Sequence, residues 1–95
     1  MKVPYIDILR ECSKIAQERG ELYGEVTKNF TDIRDNAKAM FGMELSIASI
    51  IELMIATKFS RQENEHKDDN LIDIINYTAM LLWIKRGAPK DDEAK

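Results

Sequence analysis

The sequence predicts an all-α fold of four helices. Helix-forming residues dominate a 95-residue chain that holds only 2 prolines. Apolar residues recur at steps of three or four in four separate stretches, the spacing that puts them on one helical face. Hydrophobic residues make up 44% of the chain, too many for a disordered protein. A chain this short makes one domain at most, read here as residues 1–87 with a charged tail over 88–95.

The first helix is expected from about Pro4 to Arg19. Proline suits the first helical turn, where its missing N–H has no partner in any case. Ile8, Cys12, Ile15 and Arg19 follow helical spacing, and Ile6, Leu9 and Ala16 widen the stripe. Gly20 and Gly24 bracket an expected break around Glu21-Leu22-Tyr23. The second helix is expected from Val26 to Phe41, with Val26, Phe30, Ile33, Ala37 and Met40 on one side and Asp32, Arg34, Asp35 and Lys38 on the other. Gly42 is its expected stop, since glycine takes the left-handed conformation without steric cost.

Ser46 is a good N-cap for the third helix, because its hydroxyl can accept a bond from an orphan backbone N–H. From Ile47 to Phe59 that helix is apolar almost all round, so it is expected to be buried on most sides. So small a domain cannot readily wrap a central helix, which implies a homo-oligomer. Arg61 to Lys67 reads as a polar, flexible linker. The fourth helix is expected to start at Asp68 or Asp69 and to end by Arg86, with Leu71, Ile74, Ile75, Thr78, Leu81, Leu82 and Trp83 giving a wide apolar face. Gly87-Ala88-Pro89 terminates it, and the tail Lys90-Asp91-Asp92-Glu93-Ala94-Lys95 is expected to be disordered.

Composition excludes several functions. A net charge of -3 argues against a general nucleic-acid binder, whose affinity rests on many Lys and Arg contacts to phosphate. The single Cys12 rules out an internal disulfide, and the lone His66 rules out a Cys/His zinc site. No stretch reaches the roughly 20 apolar residues that span a bilayer, and no long apolar run follows the N-terminus, so neither a membrane anchor nor a secretory signal is expected.

The chemistry concentrates between Glu52 and Tyr77. Asp69 and Asp73 stand one turn apart, about 5–6 Å at Cβ on one helical face. Such a pair needs positive charge nearby, either a divalent cation or Lys58 and Arg61 folded across from it. Mg²⁺ prefers one or two carboxylates plus water and phosphate oxygens. Asp69 also stands where an N-cap belongs. Asp73 is flanked by Ile72, Ile74 and Ile75, and a buried acid needs a cation or hydrogen bonds. Glu52 interrupts an apolar run in the same way, which points to a metal, a water-filled cleft or a buried ion pair. Lys58 and Arg61 either complement the dipole at a helix end or bind phosphate, Arg as a fork and Lys as a point charge. Tyr77, one turn after Asp73, can stack on a base, bond to Asp73 or pack in the core. Tyr23 beside Gly24 is a packing residue or a lid over a ligand. His66 sits in the polar linker and is expected to be solvated. The five Met residues are read as core filler.

Arg19, Tyr23-Gly24, Asn29-Phe30, Met54 with Lys58 and Arg61, His66, Asp69, Asp73 and Tyr77 together resemble a small family found mainly in bacteriophages and prophages. Its members are similar to the MazG-like, all-α nucleoside triphosphate pyrophosphohydrolases. The resemblance spans roughly Ile8 to Ile84, and the run Asp69-Asn70-Leu71-Ile72-Asp73-Ile74-Ile75-Asn76-Tyr77 is its most specific part. It implies a four-helix MazG-like bundle, dimeric or tetrameric, in the cytoplasm of a bacterial host. It implies a nucleotide between helices, contacted by Lys58, Arg61, Asn70, Tyr77 and Tyr23. In the catalytic members Mg²⁺ is held by acids, here Asp69, Asp73 and Glu52, and water attacks the α-phosphate to release pyrophosphate. MazG-like enzymes carry Glu-x-x-Glu and Glu-x-x-Asp on adjacent helices, where this chain reads Ser49-x-x-Glu52 and Asn70-x-x-Asp73. Half of each acidic pair is missing or displaced. The expected function is therefore nucleotide binding, with Asp73 and Glu52 as catalytic residues if (deoxy)nucleoside triphosphates are hydrolysed. The alternative is a non-catalytic sponge for a nucleotide or cyclic-nucleotide signal of bacterial anti-phage defence.

Overall fold

The computed structural model describes residues 3–23 and 26–87, with side chains over 3–20 and 28–87. Four helices and no strand are found among the described residues: α1 Ile6–Tyr23, α2 Val26–Phe41, α3 Ile47–Asn64 and α4 Asp68–Lys85. The all-α expectation holds. None of these helices is long and apolar enough to cross a membrane. The acidic tail and Gly24 lie outside the described residues.

Helix α3 pairs most extensively with α4; α2 packs on α3, and α1 packs on α4. The core is a cluster of Phe30, Ile47, Ile50, Ile51 and Ile84. Ile33, Met54, Tyr77 and Leu81 pack against it, and the Phe30 and Tyr77 rings meet edge to face at 6.2 Å between centroids. Cys12 and Ile72 are buried outside that cluster. The Cys12 thiol is pushed above its ordinary pKa, chiefly by burial and secondarily by the negative charge of Glu11. Asn76 Nδ2 donates to the Cys12 carbonyl at 3.1 Å, a polar tie between α4 and α1.

The ends of α2 and the start of α3 follow local chemistry. Gly42 has φ 70°, the left-handed conformation that ends α2, and its N–H reaches Lys38 O at 2.9 Å. Ser46 Oγ accepts from the Ser49 N–H at 3.0 Å, satisfying an orphan donor of α3. Three expectations are corrected. Helix α1 begins at Ile6 and continues through Gly20 to Tyr23. A single interior glycine costs a helix only about 1 kcal/mol relative to alanine, too little to stop it here. Helix α3 continues through Arg61 to Asn64, so most of the expected linker is helical. Arg, Gln and Glu are strong helix formers, and the Gln62 amide is anchored: its Oε1 accepts from Lys67 N at 3.0 Å and Asn70 Nδ2 at 3.3 Å, while its Nε2 faces His66 Nδ1. Lys67, not Asp69, occupies the N-cap position of α4, and no side chain caps it. Asp68 and Asp69 lie in the first turn, where the helix dipole favours acids.

Within the single chain α3 is not buried on most sides. Ile47, Ile50 and Ile51 are buried, but Leu53 and Phe59 are about half exposed, at 53% and 49%.

Candidate functional site

The site is built on Asp73, in the second turn of α4. The isoleucines around it turn that face of α4 inward and leave Asp73 only 7% exposed. Two cations from two other helices meet it there. Lys58 Nζ on α3 donates to Asp73 Oδ2 at 2.8 Å. Arg19 Nη1 on α1 donates to Asp73 Oδ1 at 2.6 Å. One carboxylate thus ties α1, α3 and α4 together, and each of its oxygens carries a charge-assisted hydrogen bond.

The electrostatics follow from that geometry. Burial alone raises the Asp73 pKa, but the hydrogen bonds from Lys58 and Arg19, with their positive charges, outweigh it and hold the carboxyl below its ordinary value. The Arg19 guanidinium is raised, first by its hydrogen bond to Asp73 against the opposing effect of burial, with the charge of Asp73 and smaller contributions from Tyr77 and Asp69. Asp73 should therefore govern acid stability. An unfolded Asp73 takes up its proton at about pH 3.9, and the folded one takes it up at lower pH. As pH falls, the unfolded state binds the proton first, so the stability contributed by Asp73 is complete above the unfolded value and is lost as pH falls through the folded one. Urea melts between about pH 5 and pH 2.5 should show a steeper loss in the native chain than in Asp73→Asn. Equal slopes would refute the assignment.

The remaining candidates are placed as follows. Arg61 is exposed on the last turns of α3, and no ion pair is found for it among the described residues. Asp69 is exposed one turn before Asp73. Asn70 is buried, and its amide is engaged with Gln62. Tyr77 packs against the core through Phe30. His66 is exposed, its Nε2 3.0 Å from Asp68 Oδ1. Glu52 is exposed on α3, so the burial expected for it is not found. The Tyr23 side chain lies outside the described residues. Lys58 and Asp73 are thus brought together, while Arg61 and Asp69 lie at the exposed margin. A separate open groove is lined by Arg34, Asp35, Lys38, Met43, Glu44 and Leu45 and contains none of these residues.

Arg19 is not among the site residues expected from the sequence, although it stands on the apolar stripe of α1, one turn after Ile15, and is one of the residues that carry the resemblance. A charge on an otherwise apolar stripe is the same signal that singled out Asp73, and it could have found Arg19 too.

A family model described as a domain of unknown function, DUF6378, matches residues 7–85. The chain belongs to the DUF6378 family. No curated protein and no solved structure matches it significantly. The match takes in Arg19, Lys58 and Asp73, so all three site residues lie within this DUF6378 domain.

The site holds two cations and one anion, a formal charge of about +1 when all three are ionised. The Arg19 side chain is 49% exposed and that of Lys58 16% exposed. A guanidinium carries five N–H donors and an ammonium three, so both can serve a second acceptor while keeping Asp73. These residues do not fit a resident Mg²⁺. Both Asp73 oxygens are engaged by cations, and no group of three His, Cys, Asp or Glu able to share a metal ion exists among the described residues.

Proposed function

We propose that this DUF6378 domain binds a phosphorylated nucleotide through Arg19 and Lys58, with Arg61 at the rim, and holds it without cleaving it. The observation that supports this reading is the fixing of two cations on one buried acid. An arginine already oriented by a carboxylate loses less side-chain entropy when it meets a phosphate, and its fork matches that group's geometry. The resemblance to MazG-like proteins supports the nucleotide and a bundle of two or four copies. The exposed apolar residues Leu53 and Phe59 on α3, and Leu82 and Trp83 on α4, support the assembly. In a phage-infected bacterial cytoplasm such a protein would sequester a nucleotide or cyclic-nucleotide signal.

The test is calorimetry and thermal melting with the (deoxy)nucleoside triphosphates and cyclic dinucleotides, with and without Mg²⁺. At least one should raise the melting temperature, since a ligand at 100 times its Kd adds about 2.7 kcal/mol to the native state. Arg19→Gln should weaken it by roughly tenfold or more, the worth of one charge-assisted hydrogen bond. If no nucleotide shifts the native chain, the reading is wrong. Monophosphate appearing in the presence of Mg²⁺ would replace holding by hydrolysis, with Asp73, Asp69 and Glu52 again in question. Sedimentation of the same sample measures the assembly.

A further inference from the structure

We infer that Lys58 and Arg19 occupy the place of a divalent cation, so that the site takes its nucleotide without a metal. The inference rests on the nucleotide-binding reading and specifies it. A metal-dependent nucleotide site uses an acid to hold a cation and the cation to hold phosphate oxygens. Here the acid is present, buried, and already holding positive charge, at 2.8 Å from Lys58 Nζ and 2.6 Å from Arg19 Nη1. The first is an ordinary length for a charge-assisted N–H···O bond, and the second is slightly shorter than usual.

Two features make the replacement stable against a free ion. First, both carboxylate oxygens are engaged, so an incoming Mg²⁺ would have to displace an ammonium or a guanidinium. It would also have to shed part of its own hydration, which it does reluctantly. Second, the displaced lysine could not easily go elsewhere. Its side chain is 16% exposed, and a largely enclosed ammonium stripped of its carboxylate is left uncompensated. The acid that would join Asp73 around a metal is also wanting. Asp69 is exposed one turn away, and Glu52 is exposed on α3. The tethered cations come from two helices and take one carboxylate oxygen each: Lys58 from α3, and Arg19 from α1 with half its side chain in solvent.

The charges also set what the site will accept. Mg²⁺ in solution neutralises part of a nucleotide's phosphate charge before it arrives. A site that brings its own cations gains most from a phosphate free of metal, so Mg²⁺ should compete with it instead of assisting it.

Manganese separates this inference from the reading beneath it, because the measurement needs no nucleotide. Mn²⁺ titrated into the native chain and followed by electron paramagnetic resonance should keep its free-ion signal. In the double variant Arg19→Gln/Lys58→Gln, Asp73 is released with Asp69 one turn away. That variant should bind Mn²⁺ with a dissociation constant of about 1 mM, at the weak end of carboxylate sites. Adding Asp73→Asn to it should abolish the binding. Circular dichroism checks that each variant folds. If the double variant does not fold, Lys58→Gln alone carries the same comparison. Binding of Mn²⁺ by the native chain that Asp73→Asn removes would overturn the inference. So would a folded variant that gains no Mn²⁺ site. A native chain that binds no nucleotide removes the proposed function and leaves this result standing on its own.

Discussion

Replacing Asp73 by alanine is expected to destabilise the chain by about 3 kcal/mol, the scale at which one partner is removed from a buried ion pair. The loss comes mainly from Lys58. Arg19 is half exposed and can turn its guanidinium to water, whereas the Lys58 side chain is 16% exposed and would be stranded. Two cations would also face each other with no anion between them. Added sulfate or phosphate should therefore recover part of the loss by taking the carboxylate's place, an effect that plain ionic screening by chloride would not match. The double variant Lys58→Met/Asp73→Leu should recover most of it, since a buried pair can often be exchanged for apolar side chains of similar size. With the single variants Lys58→Met and Asp73→Leu, the non-additivity measures the coupling directly. A loss below about 1 kcal/mol for Asp73→Ala would place the acid in solvent and remove the basis of the site.

Ile51→Ala is expected to cost about 3–4 kcal/mol through lost burial and the cavity it leaves. Ile51 is 0% exposed and sits in the cluster with Ile47, Ile50, Phe30 and Ile84, where α2, α3 and α4 meet. For a domain of this length, such a change lowers the melting temperature by roughly 15–25 °C. Leu53→Ala, on the same helix but 53% exposed, is the comparison. In a lone chain it should cost well under half as much. Near-equal losses would mean that Ile51 is less enclosed than its packing indicates, or that Leu53 is covered by another copy. Concentration dependence of the melt tells those two apart.

Much of this architecture could be read from the residues. Helix α2 has the bounds its periodicity predicts, and Gly42 and Ser46 end and begin helices by the chemistry expected of them. What was missed has physical causes. Apolar periodicity stops at Phe59, so Arg61 to Asn64 read as a linker, although their propensity and the anchoring of Gln62 keep them helical. Glu52 and Asp73 looked alike, each an acid among isoleucines. Which of them is buried depends on the face α3 turns to α2 and α4, and that is a property of packing. Lys58 and Asp73 were legible as partners because they lie on neighbouring helices joined by a short turn. Arg19 is marked locally by the apolar stripe it interrupts, but its pairing with Asp73 spans 54 residues of chain, and no local pattern encodes that.

The enclosed thiol of Cys12 has a practical consequence. At 2% exposure, and with its ionisation pushed to higher pH, it presents almost no thiolate to reagents in neutral solution. A cysteine introduced on the surface, on α1 or beside Arg61, would take a fluorophore or spin label alone. The native sequence thus permits distance measurements between helices without first removing its own sulfhydryl.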